Sequence, residues 1–370
     1  MFVLLVPSLE FGGTERQVTL LAHQLHNSGQ PVIVATFREG GAFSSQLAAK
    51  GVDVVALAPG SSNPLVLASA LRKLVQTRSA RAVYSYLPAA NVVASIATIG
   101  LKDTRVVWSV RSADMPLRGY GLKTRFAYAL ERILSGLPHQ IVTNSRAGRA
   151  ASVRKGFPED KLLVIENGFD TDLFRPDGAA RARLRAEFGL QDHHLLIGLI
   201  GRLDPVKGHE TFLHAARLFS DKHADARFIC VGGTGPADHV ARLHALARNL
   251  NLGGRLIWTG DRSDVPEVLN AVDIANLCST SEGFPNIVGE AMACGIPCVV
   301  SDVGDAAHIV GETGIVVPAG DADALRAAWE RLAEPTERAR LSRLARERMV
   351  RHFGLDRMAD QTVKVLTSFK

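Results

Sequence analysis

The feature that most constrains the fold is a regular alternation of short apolar runs with longer stretches of helical period. In the first half the runs are FVLLV, PVIVATF, DVVAL, AVYSY, RVVWSV, QIVTN and KLLVIEN; in the second they are LLIGLIG, RFICVGG, RLIWTG, IANLCS, PCVVSD and GIVVP. Runs that stay apolar at consecutive positions suit strands covered on both faces, as in parallel sheets. Between them lie amphipathic segments such as HVARLHALARNL and the Arg/Ala/Glu/Leu-rich stretch from Asp323 to Arg351. This predicts an α/β fold, and two such series predict two Rossmann-like, doubly wound domains. The length of 370 residues suits two domains. The boundary is expected in NGFDTDLFRP, where Asn-Gly, two Asp and a Pro supply turn chemistry. Two such domains side by side are expected to leave a cleft lined by strand carboxyl ends, where open α/β sheets bind ligands.

Composition narrows the function classes. Hydrophobic residues make up 46% and charged residues 22%, which excludes a disordered chain. No apolar run approaches the roughly 20 residues of a bilayer span. The opening MFVLLVPSLE lacks a basic stretch and its apolar run is short, so it is expected to be a strand rather than a signal peptide. Cys230, Cys278, Cys294 and Cys298 form no Cys-x-x-Cys pair and sit in apolar contexts, so buried reduced thiols and a cytoplasmic location are expected.

The net charge of +6 hides an asymmetry. Residues 1–185 carry 23 Lys/Arg against 13 Asp/Glu (+10), and residues 186–370 carry 20 against 24 (−4). A basic half points to an anionic partner, or to a solvated surface. Nucleic acid fits poorly, because aromatic interleaving and any known recognition module are lacking.

Several loops after strands carry chemistry. Gly12 and Gly13 open a helix after the first run; they suit backbone approach to an anion, or merely a tight turn. Arg202 and Lys207 flank Asp204-Pro205 after LLIGLIG. Converging on one point, a guanidinium fork and an ammonium suit a diphosphate; otherwise they are solvated. Gly233 lies in CVGGTGP, which does not complete a dinucleotide fingerprint. Glu282 and Glu290 stand either side of Gly283, Phe284, Pro285, Asn286 and Ile287. Pro285 and Asn286 read as the start of a short helix closed by Gly295, placing Glu282 in a loop and Glu290 on the helix. Asp170-Thr171-Asp172 has the Asp-x-Asp form of metal-dependent sugar transferases, but its place in the linker makes it turn chemistry.

In order along the chain, EFGGTERQ, TNSRAG, IENGFDTDLF, IGRLDPVKGHETFL, VGGTGP and SEGFPNIVGEAMACGIPCVV resemble the family-4 retaining glycosyltransferases of GT-B architecture. The last segment carries the family's E-x₇-E signature. The resemblance implies an acceptor-binding first domain of residues 1–170, joined by a C-terminal helix that crosses back (about residues 355–370). It implies a nucleotide-sugar domain of residues 176–354. It assigns Arg202 and Lys207 to the diphosphate, Glu282 to the donor sugar and Glu290 to the ribose. Amides of Gly12, Gly13, Phe284, Asn286 and Ile287 would contact the donor, with Gly233, Gly283 and Pro285 also placed at the donor.

The implied reaction moves a hexose or N-acetylhexosamine from a nucleotide diphosphate sugar, expected to be UDP-linked, to a hydroxyl of a saccharide or polyprenyl-linked acceptor. Attack would come from the front face, with no metal or other cofactor. Glu282 is the only candidate for a covalent alternative. Many relatives place a His after the run RVVWSV, where this chain has Arg111; a guanidinium cannot serve as a general base. Arg111 and Asn144 are therefore acceptor or phosphate candidates. The acceptor loop is expected around Ser112–Phe126, where Arg118, Lys123 and Arg125 cluster. The basic half then suits peripheral contact with an anionic membrane. A nucleotide-sugar epimerase, or a non-catalytic sugar-nucleotide-binding subunit, would share the architecture.

Overall fold

All thirteen apolar runs form strands. The computed structural model describes residues 1–10, 12–111 and 121–368, apart from the side chains of residues 122 and 123. The first series gives β1 (Phe2–Val6), β2 (Val32–Thr36), β3 (Asp53–Ala56), β4 (Ala82–Tyr86), β5 (Arg105–Val110), β6 (Gln140–Thr143) and β7 (Leu162–Val164). The second gives β8 (Leu195–Ile200), β9 (Ala226–Val231), β10 (Leu256–Trp258), β11 (Ile274–Leu277), β12 (Cys298–Ser301) and β13 (Ile315–Val317). They build two parallel sheets of order β3-β2-β1-β4-β5-β6-β7 and β10-β9-β8-β11-β12-β13. The second, counted from its own first strand, is the Rossmann order, and each sheet reverses direction beside its first strand.

The apolar runs are continuous because alternate residues enter different cores. Phe2, Leu4 and Val6 of β1 pack with Val18, Leu21, Ala22 and Leu25 of the helix Gly13–Asn27. Val3 and Leu5 face the other way, onto Leu67 and Leu71 of the helix Pro64–Thr77 and Val93 and Ala97 of Pro88–Thr98. The second sheet repeats this division: Leu196, Ile229 and Leu277 belong to one core, Ile197, Phe228 and Val299 to the other. Trp329 anchors the latter, with its ring edge-on to Phe212 and Phe219. All four cysteines are buried and unpaired. Burial pushes their thiols up, Cys294 to about 12.

The chain divides into two compact units, Met1–Gly168 with the segment from Leu355 onward, and Phe169–Gly354. The final helix, Leu355–Thr367, returns to the first unit, where Met358, Ala359 and Leu366 join the core under β1. The Gly168 N–H meets Met358 Sδ at 3.2 Å, and Gln24 Nε2 donates to Asp356 Oδ1. Asp170 Oδ1 accepts from the N–H groups of Asp172 (3.1 Å) and Leu173 (2.9 Å), which is turn capping. No helix among the described residues is long and apolar enough to cross a membrane.

Candidate functional site

In the second unit β8 and β11 are neighbours, and the sheet order reverses between them. The loops that follow these two strands therefore flank the crevice where an open α/β sheet takes its ligand. The loop after β8 carries Arg202, Asp204 and Lys207. Asp204 Oδ1 accepts from Val206 N–H at 3.0 Å and caps the single turn Pro205–Lys207. Gly208 then closes the turn at φ +67°, and a Cβ there would lie 2.0 Å from the Cys278 carbonyl oxygen. No other residue lets the loop after β8 pass so close to the loop after β11.

That approach joins the two loops. Thr280 N–H donates to the Val206 carbonyl at 2.8 Å. Lys207 Nζ donates to Glu282 Oε1 at 2.6 Å, and Ser279 Oγ donates to the same oxygen at 2.7 Å. The pair is largely but not wholly buried, Lys207 at 27% side-chain exposure and Glu282 at 14%. From the loop after β12, Asp305 N–H donates to the Gly283 carbonyl at 2.9 Å, holding Glu282's own loop in place.

Arg202 precedes Lys207 in the loop after β8. Its side chain is exposed, with Nη2 3.8 Å from Asp204 Oδ2. Gly233 directs its N–H to Asp261 Oδ1 (2.8 Å), and Thr234 Oγ1 donates to Oδ2 of the same carboxylate. These two bonds hold Asp261 below the usual carboxylate range. Pro285 precedes the helix Asn286–Ala293, so Asn286 and Ile287 form its opening turn and Gly295 follows its end at φ +75°. Phe284 is a core side chain, stacked on Phe169 with ring centroids 6.2 Å apart. Glu290, on the inner face of the helix, is only 4% exposed.

The first unit holds the remaining sites. Gly12 is the residue before the helix Gly13–Asn27, and the Glu15 side chain lies across it: a Cβ on Gly12 would meet Glu15 Oε2 at 2.1 Å. Burial raises the Glu15 carboxyl. Arg111, at the end of β5, is half-buried, and Asn144, at the end of β6, is buried. Arg118, the Lys123 side chain and most of the proposed acceptor loop lie outside the described residues; Arg125 is exposed.

Three participants have no signal in the local sequence. Ser279 and Asp261 reach their partners only through the fold. His209, the first residue of the helix His209–Ser220, is 1% exposed, and neither ring nitrogen meets a protein partner. Burial first, then His239 and Lys207, push it down to about 4. Among the described residues, no three His, Cys, Asp or Glu side chains gather as a metal site.

Known proteins match this arrangement in both halves. Residues 12–168 fit the model for a "Glycosyl transferase 4-like domain" and residues 194–335 that for "Glycosyl transferases group 1". The lipopolysaccharide core biosynthesis mannosyltransferase LpcC of Rhizobium leguminosarum bv. viciae is 32% identical over 254 residues, 67% of this chain and 71% of that protein. The putative glycosyltransferase EpsF of Bacillus subtilis is 26% identical over 247 residues, 66% of this chain; the match spans 63% of EpsF, under two thirds of its length. A crystal structure of Anabaena HepE in complex with UDP superposes with a TM-score of 0.84, at 24% identity and with both chains fully covered. With two parallel-sheet Rossmann-like units and matches in both, the chain belongs to the family-4 glycosyltransferases of GT-B architecture.

Proposed function

We propose that the chain transfers a hexose or N-acetylhexosamine from a nucleotide diphosphate sugar to a hydroxyl of a saccharide or polyprenyl-linked acceptor. The observation that carries the reading is the Lys207–Glu282 pair across the reversal point of the second sheet. It sets a cation and a carboxylate side by side at the position where such sheets bind ligands.

In this reading Lys207 and Arg202 hold the diphosphate and stabilise its charge as it leaves, with no resident metal. Glu282 accepts from a hydroxyl of the donor sugar and Glu290 from the ribose. The acceptor hydroxyl attacks from the face the diphosphate leaves, giving its proton to the departing phosphate oxygen, so the anomeric configuration is retained. The first unit receives the acceptor. A UDP-linked donor is favoured because HepE was solved with UDP.

We also propose peripheral contact with an anionic membrane. On the helix Leu122–Ile133, Phe126 and Ile133 lie seven residues apart on one face and are 68% and 75% exposed, beside the exposed Arg125 and Arg132. The reaction is tested by incubating the protein with radiolabelled UDP-, GDP- and ADP-sugars and polyprenyl-linked or free saccharide acceptors. Label appearing in the acceptor as an α-linked product from an α-linked donor supports the reading. Donor consumption with no need for an acceptor supports the epimerase reading instead.

A further inference from the structure

Three aromatic rings link the loop of Glu282 to the two points where the chain passes between units. Phe169 is the first residue of the second unit, and Phe353 precedes Gly354, the last. Phe169 N–H donates to the Phe353 carbonyl at 2.9 Å, and Phe169 pairs with Gly354 as an isolated parallel bridge. The incoming and outgoing segments are therefore tied side by side. Both rings are buried and both meet Phe284. Phe169 stacks on it with centroids 6.2 Å apart, and Phe353 tilts against it at 6.2 Å.

Both rings are wedged. A Cβ on Gly289, in the helix Asn286–Ala293, would lie 2.2 Å from Phe169 Cζ, so that ring stands edge first against the helix backbone. Over Phe353 lies the Arg348 guanidinium, its Cζ 5.6 Å from the ring centroid. That guanidinium is itself held by the carbonyls of Ile309 and His308. Interiors packed in this way transmit a displacement instead of absorbing it.

The loop at the other end is fixed as closely. Gly304 holds φ +55°, and a Cβ there would lie 2.4 Å from the Glu282 carbonyl oxygen and 2.6 Å from that of Gly283. Glu282 and Phe284 are two residues apart, at most about 7 Å of chain. A shift of the Phe284 ring therefore reaches the carboxylate that Lys207 and Ser279 bond. We infer that Phe169 and Phe353 are positioning residues: through Phe284 they set Glu282 for the donor sugar and couple it to both crossing segments. The inference rests on the reading that Glu282 receives the sugar. A nucleoside diphosphate without its sugar, held through Lys207, depends less on the rings than the intact nucleotide sugar does.

The test compares wild type with Phe353→Leu, which keeps an apolar side chain and removes the ring. Hydrogen exchange of the full chain is followed at the Asp305 amide, which donates to the Gly283 carbonyl. The control is the Asp273 amide, which donates to Leu196 at the opposite edge of the second sheet. Exchange at Asp305 should quicken about tenfold, the scale of one lost aromatic contact, with Asp273 unchanged. Gly289→Ala, which displaces the Phe169 ring and keeps all three aromatic residues, should quicken Asp305 alike. By calorimetry, Phe353→Leu should bind UDP within about twofold of wild type but UDP-glucose about tenfold more weakly. Asp305 exchange unchanged in both variants, equal quickening at Asp273, or equal effects on UDP and UDP-glucose would overturn the inference. Wild-type protein that binds neither nucleotide counts against the donor reading alone, because Asp305 exchange still reports whether the rings hold the loop.

Discussion

Lys207 Nζ and Glu282 Oε1 lie 2.6 Å apart, on two loops 75 residues distant in the chain. An incoming diphosphate must share or take Lys207 from Glu282. Glu282→Gln removes the competing charge while keeping the oxygen that Ser279 bonds. The account therefore expects a nucleoside diphosphate lacking its sugar to bind several-fold more tightly to Glu282→Gln, a gain of about 1 kcal/mol for a partly exposed pair. Sugar transfer by the same variant should fall. Calorimetry and a transfer assay on one preparation check both; weaker diphosphate binding would show that Glu282 is not in competition.

Gly208→Ala places a Cβ 2.0 Å from the Cys278 carbonyl, in a backbone region that disfavours side chains. The loops after β8 and β11 must then separate. The expected cost is about 2 kcal/mol of stability, together with loss of nucleotide affinity. Alanine at Gly178, where nothing lies within 4 Å of the added Cβ, is the control. Urea midpoints of the two variants decide the matter; an unchanged midpoint in Gly208→Ala would mean the close approach is absent in solution.

Two buried groups make stability depend on pH with opposite sign. Burial pushes Glu131, which accepts from Asn91 Nδ2 at 2.6 Å, from 4.5 up to about 7. Between those values the folded chain keeps a proton that the unfolded chain has lost. Its contribution is full below about pH 4.5 and disappears as pH rises through 7. Burial pushes His209 from 6.5 down to about 4, so the unfolded chain holds the extra proton there and stability is lost as pH falls through that window. Each effect is on the order of 3 kcal/mol. Glu131→Gln should lose stability relative to wild type at pH 5 and not at pH 7.5, whereas His209→Gln should gain relative to wild type toward pH 4. Urea midpoints measured from pH 4 to 7.5 test this; variant curves parallel to the wild type would refute both assignments.

The exposed Phe126 and Ile133 provide a separate check. Phe126→Ser with Ile133→Ser should abolish flotation with vesicles of anionic phospholipid, while leaving the melting temperature unchanged, because neither side chain is in a core. Wild-type protein that floats equally with neutral vesicles, or with none, contradicts the membrane contact.

Much of the fold was legible because burial on both faces leaves a plain mark: strands such as FVLLV are apolar at each position, one set for each core. Glu282 in its loop and Glu290 on its helix were legible from Pro285 and Gly295, whose backbone preferences act locally. What lay hidden depends on partners distant in sequence. Ser279 looks like any loop serine until Glu282 Oε1 is beside it. Gly233 was expected in a close-packed turn beside a ligand, and its N–H bonds Asp261 Oδ1, 28 residues on, a partner no local pattern reveals. Arg202 and Lys207 were legible as neighbouring cations of one loop, but their partners were not: Lys207 Nζ donates to Glu282 Oε1, and Arg202 Nη2 lies 3.8 Å from Asp204 Oδ2. Residue type and spacing gave the groups, whereas their pairing required the reversal of sheet order between β8 and β11.

The central claim is that the loops after β8 and β11 bind a nucleoside diphosphate through Lys207. Calorimetric titration of the full chain with UDP, GDP and ADP, repeated on Lys207→Met, tests it most directly. The account predicts that at least one of the three binds at a single site, and that Lys207→Met weakens it at least about tenfold, the loss of a charge-assisted hydrogen bond. Absence of binding by all three, or a Lys207→Met protein that binds as tightly as the wild type, would contradict it.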